Sequence, residues 1–123
     1  MNSDERSVVA SCAPLLTPLG LRSLASFDNA YVPLHRGGPA ERDRAYHQGT
    51  VWPWLVGPYV EAALRTGANP DGALAGLEPH LHEWGLGSVS ETADGAAPHG
   101  ATGCPFQAWS VAETLRARRL LGR

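Results

Sequence analysis

The chain has 123 residues, of which 43% are apolar and 18% charged, and its net charge is −2. That length supplies one domain of ordinary size and not two. The charge balance lacks the basic stripe by which nucleic-acid and membrane-surface proteins hold anionic partners, and no stretch approaches the ~20 apolar residues of a membrane span.

Met1 reads as an ordinary start. Residues 1–7 are polar and lead into a short apolar stretch, unlike a secretory leader with a positive start and ~7–15 apolar residues. The cytoplasm is the expected compartment. A first helix is expected over about 4–12, with Asp4 and Glu5 in its opening turn and Pro14 and Pro18 stopping it. A long connection, about 13–50, follows.

The second predicted helix spans about 51–66 and leaves at Gly67; Pro53 suits its first turn, where an amide would be unpaired anyway. Its sequence, VWPWLVGPYVEAALR, is apolar nearly all round, with Glu61 and Arg65 its only charges. A helix apolar on every side is buried on every side. Three other helices are too few to enclose it, so it calls for the rest of a larger domain or another subunit. Without that cover, an apolar patch at this helix is expected.

The third predicted helix runs about 70–84, with Asn69 as cap, Pro70 in the first turn and Gly85 after the end. A second long connection, about 85–104, precedes the fourth, about 105–121, bounded by Pro105 and Gly122. Arg116, Arg118 and Arg119 near its end offset the negative helix terminus, a simpler reading than a phosphate site. Isoleucine is absent and alternation is not sustained, so the pattern predicts an all-α domain over residues 1–123. Connections longer than ~12–15 residues are often functional, and both long ones here are rich in Gly, His, Ser and acidic residues.

Polar and aromatic residues gather in three places: Tyr46 to Trp54, Gly85 to Gly95, and Gly103 to Ser110. Indole faces beside His, Gln and carboxylates suit a sugar ring, which offers an apolar C–H face and a rim of hydroxyls. Trp52, at a predicted helix start, fits a pocket. Trp54 and Trp109 fit core packing equally well. Glycoside hydrolysis usually needs two carboxyl groups. Glu91, in a Gly/Ser-rich loop, is the candidate; by residue type alone it also reads as a solvated loop glutamate. A metal site is not expected, because His80 and His82 on one helix point about 200° apart and no CxxC or HExxH occurs. No cofactor is called for. Cys12 and Cys104 lie far apart in sequence and argue weakly for a disulfide.

The stretches YHQGTVWPWLVGPYVEAAL, GLGSVSETADG and CPFQAWSVAETLRA, with LLTPLGLRSLAS at 15–26, resemble the end of the glycogen-debranching-enzyme C-terminal family, the amylo-alpha-1,6-glucosidases. The resemblance runs from about residue 7 to residue 121. It implies an alpha/alpha six-hairpin toroid, of which this chain would form a C-terminal arc of about four helices. It also implies an inverting glucosidase of glycogen catabolism that removes α-1,6-linked glucose stubs, with Glu91 as general base. His47, Gln48, Trp52, Trp54 and Gln107, by residue type and motif position, are the expected substrate-binding residues. The family's general acid is an aspartate upstream of the HQGTVWPW block, and no residue here matches that segment; Asp28, Asp43 and Asp94 are not marked as the acid. The expectation is a truncated or split glycosidase. Its partners would be an α-glucan (glycogen or limit dextrin) and a second chain supplying the N-terminal part, with no nucleic acid and no membrane. The alternative is a non-catalytic glucan-binding or subunit-interaction module.

Overall fold

The computed structural model describes residues 3–123. Helix α1, Ser3–Cys12, runs through a 3-10 turn into two short strands, β1 (Leu16–Thr17) and β2 (Gly20–Arg22). Helix α2, Pro39–Tyr46, precedes β3 (Val51–Trp52), a 3-10 turn over Pro53–Leu55, and α3 (Val56–Thr66). One further turn of helix, α4 (Leu77–His80), two more strands, β4 (Thr92–Ala93) and β5 (Ala101–Thr102), and α5 (Ala108–Leu120) complete the order. The strands form one five-stranded antiparallel sheet in sequence order. Leu21 pairs with Trp52, Val51 with Ala93, and Thr92 with Thr102.

The fold is therefore α+β. The sheet overturns the all-α expectation and with it the arc of an alpha/alpha toroid. The reason is length: strands of two or three residues are too short to display alternation. They lie in the two long connections, except β3, which is fused to the apolar run of α3. At that junction Pro53 disfavours the helical region for the residue before it. Trp52 is extended at φ −118°, ψ 104°, and α3 begins only at Val56.

The first and fourth predicted helices correspond to α1 and α5. The third shrinks to α4, because Gly72 at φ +86° turns the chain out of helical register and successive turns replace the ladder. Helix α2 has no counterpart in the sequence reading: PAERDRAY carries a run of four charged residues and buries only Ala45. Its signal was Pro39 in the first helical turn.

The core lies between the sheet and helices α3 and α5, built on Val51, Val56, Val60, Leu77, Val89 and Ala117. Helix α3 buries Val56, Gly57, Val60, Ala63 and Thr66, packing against α1 and α5, and exposes Pro58, Leu64 and Arg65. It thus has a solvent stripe, where the sequence suggested burial all round. Larger exposed apolar side chains stand elsewhere, at Leu86, Phe106, Trp109 and Leu115. Arg116 of α5 donates to Glu61 of α3 at 2.6 Å and to Glu113 at 3.0 Å. Partly exposed pairs of this kind add little stability, so burial is what fixes the α3–α5 crossing.

Among the described residues, Ser110 Oγ is the one buried side-chain polar atom without a hydrogen-bond partner. Leaving a hydroxyl unpaired in the interior is unfavourable by about 1–3 kcal/mol. Ser110→Ala is therefore expected to raise stability by about 1 kcal/mol, read as a higher urea midpoint at unchanged slope. Among the described residues no helix is long and apolar enough to cross a membrane.

Candidate functional site

A cleft of about 500 Å³ opens beside β3, lined by Ser23, Tyr46, His47, Trp52, Trp54, Leu55, Glu91, Gln107 and Trp109. Separate parts of the chain deliver these groups, with Ser23 standing just after β2. The end of α2 presents Tyr46 and His47, β3 and the 3-10 turn present Trp52 and Trp54, and the residues around β4 and the start of α5 present Glu91, Gln107 and Trp109.

Both oxygens of Glu91 are held. Tyr46 Oη donates to Oε1 at 2.5 Å, and the Cys104 backbone N–H donates to Oε2 at 2.9 Å. The Glu91 N–H in turn donates to the Cys104 carbonyl at 2.8 Å, so backbone and side chain are fixed against the same residue. Burial first, then the hydrogen bond to Glu91, pushes the Tyr46 phenol up from 10.0 to about 12. Tyr46 therefore stays protonated and donating across the whole neutral range. The two donors hold both carboxylate oxygens in one orientation, the positioning that a general base requires.

The loop before Glu91 is anchored by His80, which is fully buried. The Ser90 N–H donates to His80 Nε2 at 3.1 Å, so that nitrogen carries a lone pair and the ring proton sits on Nδ1. Nδ1–H then donates to Glu83 Oε2 at 3.1 Å. Replacing His80 by Leu leaves the Ser90 N–H without its acceptor. We expect a loss of about 1–3 kcal/mol in urea unfolding, with His80→Gln restoring part of it through its amide oxygen.

The aromatic walls are also fixed. Trp52 Nε1–H donates to the Tyr46 carbonyl at 3.0 Å, and its ring lies nearly parallel to His47, with centroids 5.6 Å apart and an interplanar angle of 8°. Tyr46 meets Trp52 edge-on at 4.5 Å. Trp54 and Trp109 stack at 4.0 Å. On its far side Tyr46 meets the His35 ring at 5.3 Å. His35 is buried and joins Thr102 at 3.1 Å, and Thr102 joins Thr92 at 2.9 Å. Burial pushes the His35 imidazole below its ordinary value, opposed by Glu91 and Asp94.

Of the residues singled out from sequence, Glu91, His47, Trp52, Trp54 and Gln107 line this one cleft. Gln48 does not: it is exposed, and its main chain accepts from Val32 N–H at 2.6 Å. Tyr46 was not singled out, although it stands beside His47 in the same motif; Ser23 and Leu55 were also missed as cleft residues, and Trp109, open between pocket and core by residue type, lines the cleft. Asp94, at the far end of the loop, is buried and paired with Arg36 at 2.6 Å, away from the cleft. Asp28 and Asp43 are exposed and do not line it. Glu91 is the only carboxylate lining the cleft among the described residues. His80 is buried while His82 is exposed. Among the described residues no group of three or more His, Cys, Asp or Glu could hold a metal ion, and both cysteines are free thiols.

No curated protein matches the chain. The family model described as amylo-alpha-1,6-glucosidase matches residues 1–116, nearly the whole sequence and every residue that lines the cleft. The chain belongs to the amylo-alpha-1,6-glucosidase family, related to glycogen debranching enzyme.

Proposed function

We propose that the cleft binds the terminal glucose of an α-1,6-linked branch stub and that Glu91 is the general base of an inverting hydrolysis. In such a reaction the base takes a proton from water as the water oxygen attacks the anomeric carbon, on the face opposite the leaving oxygen. A second carboxyl group protonates that oxygen, about 6.5–9.5 Å from the base. The observation that carries the reading is the double anchoring of Glu91 at a tryptophan-lined cleft. Fixed donors aim the carboxylate before substrate arrives, and such preorganisation is what positioned catalysis needs. Trp52 offers the ring face, and His47 and Gln107 hold hydroxyls or the water.

Glu91 has no carboxylate partner among the residues lining the cleft. We infer that the acid comes from outside this sequence, either in cis or from a second chain. The 123-residue chain by itself then binds sugar without turning it over, which accommodates a glucan-binding role as the second reading. The test is glucose release from a limit dextrin. The chain alone should release none above background; addition of the family's upstream acid-bearing segment should restore release. Release by the chain alone, abolished by Glu91→Gln, refutes this division of labour.

A further inference from the structure

A second cavity, of about 660 Å³, shares no lining residue with the cleft at Glu91. Its walls include His35, Arg36 and Arg42, Thr102 and Gly103 at the end of β5, and Trp84 in the turns after α4. Two guanidinium groups line it and no carboxylate does. Asp94, behind the wall, accepts from Arg36 Nε at 2.6 Å and from the His35 N–H at 2.9 Å. Glu91 is held by Tyr46 and Cys104, and Glu41 is turned toward Gly38 at the start of α2.

An unpaired arginine on a surface is ordinary. Arg42 is exposed and its side chain has no hydrogen bond or ion pair among the described residues. It differs in its company. Arg36 in the same cavity is aimed in advance: Asp94 holds its Nε, and Gly100 leaves space for the rest, since a Cβ there would stand 2.6 Å from Nη2. The Nη groups of Arg36 have no partner among the described residues. Burial, with the Arg42 charge adding to it, lowers the His35 pKa, so that guanidinium lies within electrostatic reach of the ring. His35 is buried and meets Thr102 Oγ1 through Nδ1, and its Nε2 has no partner among the described residues. The Thr102 hydroxyl can donate to Nδ1 while accepting from Thr92, which leaves the ring proton on Nε2 as a further donor.

Guanidinium forks match the oxygens of a phosphate, and charge-assisted bonds of this kind are the strong ones. Trp84, 43% exposed, adds one indole face. No second large apolar side chain lines the cavity to cover the other side of a nucleobase. A pyranose needs only one apolar face and offers hydroxyls to the polar walls. The volume lies in the usual ~300–1,000 Å³ range of small-ligand sites. We propose that this cavity binds a phosphate monoester of a hexose, with the phosphate on Arg42 and Arg36 and the sugar ring against Trp84. The site is separate from the Glu91 cleft and does not depend on the reading of that cleft.

The test is titration of the whole chain with glucose 6-phosphate at fixed ionic strength, followed at the Trp84 indole N–H in a ¹⁵N–¹H spectrum. That resonance should shift saturably, with an affinity at least about tenfold above that of glucose read at the same resonance. Arg42→Ala alters an exposed side chain, so the melting transition should not move, while binding weakens about five- to tenfold, the loss of one charge-assisted contact at a partly screened site. Inorganic phosphate and adenosine monophosphate should each bind more weakly than glucose 6-phosphate. Tighter binding of the nucleotide, or equal binding of phosphate alone, overturns the hexose assignment. A Trp84 resonance that does not shift, or a shift that Arg42→Ala leaves at full affinity, overturns the phosphate site. The Trp52 resonance reads the Glu91 cleft separately, so the failure of one site is told from the failure of the other.

Discussion

Glu91→Gln is expected to lower kcat about 10²–10⁴-fold in an enzyme completed with its general acid, the usual contribution of a positioned acid or base, while sugar affinity stays within about twofold. The substitution is informative because the site can accommodate it. A carboxylate accepts at both oxygens, whereas an amide accepts at one and donates at the other. The Cys104 N–H can only donate, so the amide oxygen must face it. The amide NH₂ then faces Tyr46, whose hydroxyl can turn and accept. The fold and the cleft persist, and only proton acceptance is lost. Steady-state kinetics on a limit dextrin, with the binding titration beside them, separate a chemical role from a positioning one. An unchanged kcat removes Glu91 from the reaction.

The second large effect is expected at Gly103, whose φ of +70° lies in the left-handed region. A Cβ there would stand 2.7 Å from Glu91 Oε2 and 2.7 Å from Thr92 Oγ1. Contacts that short force the carboxylate away from the Cys104 N–H, so Gly103→Ala should depress turnover by about as much as Glu91→Gln and add backbone strain of about 1–2 kcal/mol. Gly67→Ala is the control. Its φ of +73° brings the same strain, but nothing lies within 4 Å of the added carbon. It should lower the urea midpoint and leave activity intact. If both variants behave alike, the crowding of Glu91 has no consequence.

These two positions show what the sequence made legible. Glu91, His47, Trp52 and Gln107 stand in long, ordered motifs, and motif position was enough to single them out. Their anchoring was not legible, because it depends on contacts between distant residues: Tyr46 meets Glu91 across 45 positions, and Ser90 meets His80 across ten. Gln48 shows the opposite failure. It stands in the same motif as His47, yet the chain turns between them, so neighbouring residues point to different surroundings. The sheet escaped for the reason that α2 did. Both leave a hydrophobic pattern too short or too polar to register, although they bring Tyr46, Trp52 and Glu91 together. Helices α1 and α5 were long enough to be read through their proline, glycine and charge punctuation.

The four tryptophans test the central claim, that sugar binds in the cleft at Glu91. Trp52, Trp54 and Trp109 line that cleft, whereas Trp84 lines a different one with His35, Arg36 and Arg42. Each indole N–H gives its own cross-peak in a ¹⁵N–¹H spectrum, assignable by single Trp→Phe substitution. On titration with glucose the Trp52 resonance should move most, as the ring settles beside Glu91, while Trp84 stays in place. Movement of Trp84 with Trp52 unmoved, or no movement at all, would contradict a sugar site built around Glu91.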